Sequence, residues 1–144
     1  MSLHNAARAQ HGASQLSWSP TLAAAAQQVA DKCIFAHSAL PYGENIGLYG
    51  AGGDPAAIFK VWYNEQSAYS FAAPGFGENT GHFTQVVWKG TSQLGCAVSV
   101  CAAGIPVPGW NHQGAASLLV CEYDPPGNML PATNWIYNVL PLQS

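Results

Sequence analysis

One short segment near the middle of the chain is the most informative about the fold: Gly81-His82-Phe83-Thr84-Gln85-Val86-Val87-Trp88. Thr80 stands directly before it and belongs to the residue types that cap helix N-termini. We therefore predict a helix that runs through His82 and Val86 to Lys89. A lone histidine beside aromatic residues is more often a hydrogen-bonded core residue than a ligand, so His82 alone does not identify a site.

The residues before this segment predict three further helices. The first covers Leu3 to Gln10. The second begins at Ser19-Pro20 and continues at helical spacing to Cys33, and the third begins at Asp54-Pro55 and continues to Glu65. Both of these starts combine a capping side chain with a proline at the first helical position.

The residues after this segment predict strands. Residues 94, 96, 98 and 100 are apolar with small residues between them, which is the period of a half-buried strand. A second strand is predicted over Ser117 to Tyr123 and a third over Ile46 to Tyr49, with a loop over Ala102 to Gly114. Helices that flank a short antiparallel sheet form an α+β sandwich, and 144 residues fit a single domain over 1–144.

The composition excludes several classes of function. The chain has 4 Lys+Arg against 7 Asp+Glu, a net charge of −3, so it has no basic stripe for nucleic acid and no polybasic membrane anchor. It has no apolar run long enough for a membrane span and no signal peptide, so we expect a leader to have been removed. Four cysteines without a close pair favour two disulfides and secretion; four reduced thiols are the alternative.

Four polar side chains and one loop are candidates for function. Glu65 falls on the apolar stripe of its helix, unless the stripe ends there and Glu65 faces water. Glu44 stands in a Gly-Glu-Asn turn, where an acid is usually solvated, and His37 is a second lone histidine. If Glu44, Glu65, His37 and His82 converge, they form a metal or acid–base site.

The loop Ser67 to Gly77 contains three aromatic residues and a Pro-Gly pair but no helical period. Its aromatic side chains, Tyr69, Phe71 and Phe76, either pack on the body of the protein or form an exposed apolar contact surface. We predict that the loop is exposed and makes few contacts with the core.

The segment around His82 resembles a signature of the CAP superfamily, which contains cysteine-rich secretory proteins, antigen 5 and pathogenesis-related 1 proteins. Further segments that resemble this family follow its order along almost the whole chain: His4-Asn5 with Arg8 and His11, Leu16-Ser17-Trp18, Cys33 to Ser38, Tyr42 to Ile46, Trp62 to Glu65, and Val120 to Asn128.

The resemblance implies an α-β-α sandwich in which about four helices flank a three-stranded antiparallel sheet. It also implies that His37, Glu44, Glu65 and His82 lie in one cleft, where the histidines hold a divalent ion such as zinc or magnesium. The glutamates would then serve as outer partners or orient a water. The alternative is a structural network that ties helices to sheet.

The resemblance further implies two disulfides, Cys33–Cys96 and Cys101–Cys121. Plant members carry six cysteines, so the chain is more similar to the secreted fungal branch. The spacing of Tyr69, Phe71 and Phe76 around Pro74 resembles a motif that sterol-binding yeast members place in this loop.

We therefore expect a secreted, monomeric protein that binds a sterol or fatty-acid-like lipid and exports or sequesters it, and no catalytic residue is evident. Two alternatives remain: a metal-dependent hydrolase that uses the His/Glu cleft, and a defence or virulence effector that acts through a protein partner.

Overall fold

A four-stranded sheet forms the centre of the computed structural model, which describes residues 1–110 and 114–143. Its strands are β1 (Ser17–Trp18), β2 (Gly43–Gly50), β3 (Gln93–Cys101) and β4 (Ala116–Asp124), in the order β1-β3-β4-β2. Strands β2 and β3 each pair antiparallel with β4, which confirms the predicted three-stranded sheet. The two-residue strand β1 adds a short parallel pairing to β3 that the sequence pattern did not predict.

Five α-helices and one 3-10 helix surround the sheet in the described part of the chain. They are α1 (Ser2–Gln10), α2 (Pro20–Asp31), α3 (Pro55–Asn64), the 3-10 helix (Glu65–Ala68), α4 (Gly81–Val86) and α5 (Thr133–Asn138). Both predicted caps are present, since Ser19 Oγ accepts from Leu22 N at 3.1 Å and Asp54 Oδ1 accepts from Ala56 N at 2.9 Å.

The side chains of the sheet alternate between two cores, which produces three layers. Leu118 and Val120 pack with Ala26 and Val29 of α2 on one face. Residues 119, 121 and 123 point to the other face, where the core contains side chains of α1, α3, α4 and α5. The predicted α-β-α sandwich is therefore confirmed.

Several predicted boundaries were wrong in ways that move candidate site residues. Strand β2 begins at Gly43, so Glu44 lies in a paired strand opposite Glu122 and not in a solvated turn. Helix α3 ends at Asn64, which places Glu65 on the 3-10 helix. Helix α2 ends at Asp31, and Cys33 lies beyond it with a positive φ of 55°.

Helix α4 is shorter than predicted. It ends at Val86 and not at Lys89, and Thr80 forms no side-chain capping bond. The predicted loop over residues 102–114 contains no helix or strand at 102–110, and residues 111–113 lie outside the described residues.

All four cysteines form disulfides, but the predicted pairing was wrong. The bonds are Cys33–Cys101 and Cys96–Cys121. Cys96 faces Cys121 directly across the β3–β4 ladder, whereas Cys101 faces Ala116. Because Cys96 and Cys101 are an odd number of residues apart on one strand, their side chains point to opposite faces of the sheet. Only Cys101 faces the α2 layer, where Cys33 lies.

Candidate functional site

The side chain of His82 is held by Glu65. His82 Nδ1 and Glu65 Oε2 are 2.8 Å apart, and Glu65 Oε1 accepts a hydrogen bond from Phe83 N at 3.0 Å. The Glu65 side chain is only 15% exposed, so the interpretation that it faces water was wrong. The His82 ring also stacks on Trp62, with centroids 5.5 Å apart. Glu65 therefore binds the first turn of α4, where Thr80 forms no cap, and orients His82.

A second histidine–glutamate pair lies at the start of β2. His37 Nδ1 is 2.9 Å from Glu44 Oε1, and Ser38 donates to the same carboxylate from its backbone N at 2.8 Å and from Oγ at 2.5 Å. The hydrogen bond to Glu44 raises the pKa of His37. The His37 side chain remains 64% exposed, whereas that of Glu44 is 6% exposed.

Glu122 is a site residue that the sequence reasoning missed. It faces Glu44 directly across the β2–β4 ladder and is fully buried. Among the described residues, its oxygens meet no N–H or O–H donor. Burial, followed by the neighbouring Glu44, raises the pKa of Glu122 to about 9. Its hydrogen bond to the Glu44 carboxylate therefore requires a proton on Glu122.

The proton on Glu122 helps to keep the Glu44 carboxylate ionised. Burial alone would raise the pKa of Glu44, but hydrogen bonds from His37, Glu122 and Ser38 outweigh it and lower the pKa to about 2. The signal in the sequence was a carboxylate inside the predicted strand Ser117 to Tyr123, flanked by apolar residues on both sides. A buried acid at such a position must be paired or protonated.

The two pairs border one small cavity of about 100 Å³. Its lining includes three of the four predicted residues, His37, Glu44 and His82, while Glu65 supports His82 from outside the lining. In residues 1–110 and 114–143, no three His, Cys, Asp or Glu side chains are arranged so that they could hold a metal ion together. The cleft thus offers two imidazole rings and no complete set of protein ligands.

The aromatic loop is only partly as predicted. Phe71 and Phe76 are 37% and 58% exposed, as expected, but Tyr69 is 8% exposed and belongs to the core. Its ring packs against Phe71 and Phe83, with centroids 4.9 and 5.7 Å apart. Tyr69 therefore anchors the loop to α4. Phe71 also lies against Phe83 and Phe76 against Trp135, with centroids 6.5 and 6.4 Å apart, so the prediction of few core contacts was wrong for all three rings.

The loop encloses a cavity of about 370 Å³, lined among others by Tyr69, Pro74 and Phe76. Phe76 also lines the His/Glu cleft, so the two cavities share one ring. A third cavity of about 450 Å³ lies between α1, α3 and the sheet, and most of its lining is apolar, including Trp18, Phe59 and Val98. No pattern in the sequence predicted this third cavity.

A comparison with known families decides the identity of this arrangement. A sequence model of the cysteine-rich secretory protein family, CAP, matches residues 1–123. The chain belongs to the CAP family. The resemblance predicted from the sequence motifs is therefore confirmed for most of the CAP domain.

Relatives of this CAP domain occur in fungi and plants. It is 42% identical over 145 residues to Protein PRY2 of Saccharomyces cerevisiae, an alignment that covers 96% of this chain and 39% of that protein. It is 36% identical over 129 residues to Pathogenesis-related protein 1 of Arabidopsis thaliana, covering 87% of this chain and 73% of the plant protein. The chain thus spans well under half the length of the yeast relative.

Solved structures support the same fold. The CAP domain superposes on the crystal structure of NaASP2 with Zn²⁺ with a TM-score of 0.70 at 23% identity, covering 99% of this chain and 83% of that one. With the crystal structure of MpPR-1i the TM-score is 0.68 at 24% identity, covering 92% and 87%. No helix in residues 1–110 and 114–143 is both long and apolar enough to cross a membrane.

Proposed function

We propose that this CAP domain binds a sterol or a related apolar lipid, and that Phe71 and Phe76 form the main contact. The observation that carries the proposal is the exposure of both rings on an uncharged loop that borders a cavity of about 370 Å³. Cavities for small apolar ligands span roughly 300–1,000 Å³ and combine apolar walls with a few polar groups. Phe76 lines this cavity and Phe71 lies outside its lining, so a ligand that covers both rings must extend beyond the cavity. Exposed aromatic rings gain free energy when a ligand covers them.

The direct test is titration with labelled cholesterol in vesicle-free buffer. Phe71→Ala and Phe76→Ala each remove a ring, and full burial of one ring contributes roughly 1.5–3 kcal/mol. We expect each variant to bind about tenfold to a hundredfold more weakly. The matched control is Val61→Ala, which truncates a 60% exposed side chain on α3. Loop variants with wild-type affinity would contradict the assignment of the contact.

The cavity between α1 and α3 is a second location at which an apolar ligand fits. Ala56 lines this cavity near the start of α3, so Ala56→Phe would reduce its volume and leave the loop unchanged. If the loop is the contact, Ala56→Phe binds cholesterol as well as wild type. Loss of binding in Ala56→Phe together with normal binding in Phe71→Ala and Phe76→Ala would move the ligand to the inner cavity.

We also propose that the protein is secreted as a monomer and exports or sequesters its lipid outside the cell. Both disulfides support secretion, because disulfides form and persist in oxidising compartments. One relative, 38% identical over 135 residues, is the Secreted protein RBT4 of Candida albicans. The described residues contain no free cysteine, and therefore no thiol nucleophile that would favour a hydrolase.

For the His/Glu cleft we propose weak binding of a divalent ion by His37 and His82. Imidazole nitrogen suits zinc, whereas magnesium prefers oxygen ligands and fits this pair poorly. Each ring uses Nδ1 for its glutamate, which leaves the Nε2 lone pair to coordinate the ion. A carboxylate behind a histidine is the usual support of a metal-binding imidazole. With two protein ligands the affinity should be modest, because structural zinc sites use four.

Metal binding to the cleft should weaken in acid. Imidazole must be neutral to coordinate, and Glu44 raises the pKa of His37, so protons compete from a higher pH than for a free histidine. We expect zinc affinity, measured by isothermal titration calorimetry, to fall at least about tenfold between pH 7.5 and pH 5.5. His37→Ala and His82→Ala should each bind zinc more weakly than wild type at the same pH. Unchanged affinity in both variants would favour the structural network.

A further inference from the structure

Two segments of the chain carry no Asp, Glu, Lys, Arg or His: residues 66–77, which contain the aromatic loop, and residues 125–143, which contain α5. Both of these uncharged segments expose large apolar side chains to solvent.

The two segments meet at Phe76. Its ring lies against Trp135 of α5, with centroids 6.4 Å apart. A Cβ placed on Gly81 would lie 3.1 Å from Phe76 Cε1 and 3.9 Å from Asn128 Nδ2, so the loop also approaches the residues before α5. Asn134 Nδ2 donates to the Met129 carbonyl at 2.8 Å and fixes those residues to the helix.

Helix α5 buries Trp135 and exposes the next two side chains. Trp135 is fully buried, whereas Ile136 and Tyr137 are 53% and 72% exposed. Met129 and Leu130, just before the helix, are 52% and 78% exposed. These four exposed side chains lie within residues 129–137, and Phe76 contacts Trp135 of the same stretch; we call the five side chains the α5 patch. Clusters of exposed large apolar side chains mark interaction sites in soluble proteins.

We propose that the α5 patch docks the protein onto the surface of an uncharged, zwitterionic lipid bilayer. The proposal rests on the proposed function, because sterols partition into membranes and a protein that takes up a sterol must meet it there. Phe76 belongs both to the patch and to the lining of the loop cavity. Docking would therefore place the mouth of that cavity at the membrane.

Charge favours a neutral bilayer over an anionic one. The net charge is −3, and none of the 4 Lys+Arg residues lies in either segment. Lys89 lies beside α5, since its backbone N donates to Asn138 O at 2.9 Å, but one basic residue is not a cluster. Attraction to anionic lipids needs clustered basic residues near the membrane, so such lipids would repel this protein. Apolar side chains with a tyrosine beside them suit the boundary between headgroups and acyl chains, where one end of the ring stays wet.

Vesicle co-sedimentation tests the proposal. Wild type should bind phosphatidylcholine vesicles, and binding should change less than about twofold between 50 and 500 mM salt, because no ion pairs are involved. The double variant Leu130→Asp/Tyr137→Asp should bind at least about tenfold more weakly, since binding scales with buried apolar area. Val61→Asp, at a similarly exposed site on α3, should bind like wild type.

Three results would overturn the docking proposal: wild type that does not sediment with phosphatidylcholine vesicles, binding that requires phosphatidylserine, and a wild-type dimer that Leu130→Asp dissociates. Titration with labelled cholesterol in vesicle-free buffer distinguishes failure of the docking proposal from failure of the proposed sterol binding. The double variant should bind cholesterol there like wild type. Cholesterol binding without vesicle binding would reject docking alone, and vesicle binding without cholesterol binding would reject the sterol function alone.

Discussion

Arg8→Ala should lower the free energy of unfolding by about 4 kcal/mol, because the substitution leaves three buried carbonyl groups and one partly buried carbonyl group without their donor. The guanidinium is fully buried. It donates to Ser14 O at 2.7 Å, Val86 O at 3.1 Å, Trp88 O at 2.8 Å and Thr91 O at 2.9 Å. These carbonyls lie after α1 and around the end of α4, so one side chain ties the first helix to the helix that carries His82.

Denaturant unfolding of the variant measures this loss directly. Burial lowers the pKa of Arg8 to about 10, so the side chain stays charged at neutral pH. Arg8→Lys should recover little of the stability, because an ammonium group cannot reproduce the planar fork of donors. Lys60→Ala, at an exposed position on α3, is the control and should change stability by less than about 0.5 kcal/mol. An Arg8→Ala variant as stable as this control would contradict the prediction.

The layers of the fold were predictable because each rests on a local signal. Ser19-Pro20 and Asp54-Pro55 start helices through their own side chains, and alternation over residues 94–100 identifies β3 without reference to the rest of the chain. Strand β1 and helix α5 were missed for the opposite reason. A strand of two residues and a helix of six residues have too few positions to show a period, and packing decides them.

Alternation along β3 excludes one disulfide pairing but does not choose between the other two. Cys96 lies on the strand predicted over residues 94–100 and Cys101 follows it directly, at an odd separation, so the two cannot both face the same layer and cannot bond each other. The family resemblance assigned Cys33 to Cys96, whereas Cys33 follows α2 and bonds Cys101 on the α2 face. Which of the two cysteines faces α2 depends on how the sheet packs against that helix, so alternation along one strand cannot decide between Cys33–Cys96 and Cys33–Cys101.

The histidine–glutamate pairs needed contacts that sequence spacing does not contain. Glu65 and His82 are 17 residues apart and meet because α4 packs beside the 3-10 helix. The pairing of Glu44 with Glu122 depends on the register of two strands that are distant in sequence. Register is a property of the whole sheet, so a single chain pattern cannot fix it.

Glu122→Gln should stabilise the protein at neutral and alkaline pH. In the folded state burial and Glu44 raise the pKa of Glu122 to about 9, from a usual value near 4.5. Between these two values the unfolded chain releases a proton that the folded protein keeps, so wild-type stability falls as pH rises. Glutamine keeps a donor for Glu44 and has no proton to lose. The gain over wild type should grow from about pH 4.5 to about pH 9.

Thermal or urea unfolding at several pH values provides the measurement. Each pH unit between about 4.5 and 9 adds at most about 1.4 kcal/mol to the stability of Glu122→Gln relative to wild type. The second amide hydrogen of glutamine costs part of this gain. We therefore expect the variant to be about 2 kcal/mol more stable than wild type at pH 8. Glu44→Gln is a control that should change the stability in the opposite direction. Hydrogen bonds lower the pKa of Glu44 to about 2, so its contribution is present above about pH 4.5 and is lost as pH falls toward 2. Glu44→Gln should therefore destabilise the protein at neutral pH. If wild type and Glu122→Gln show the same pH profile, Glu122 is ionised in the folded protein and does not donate to Glu44.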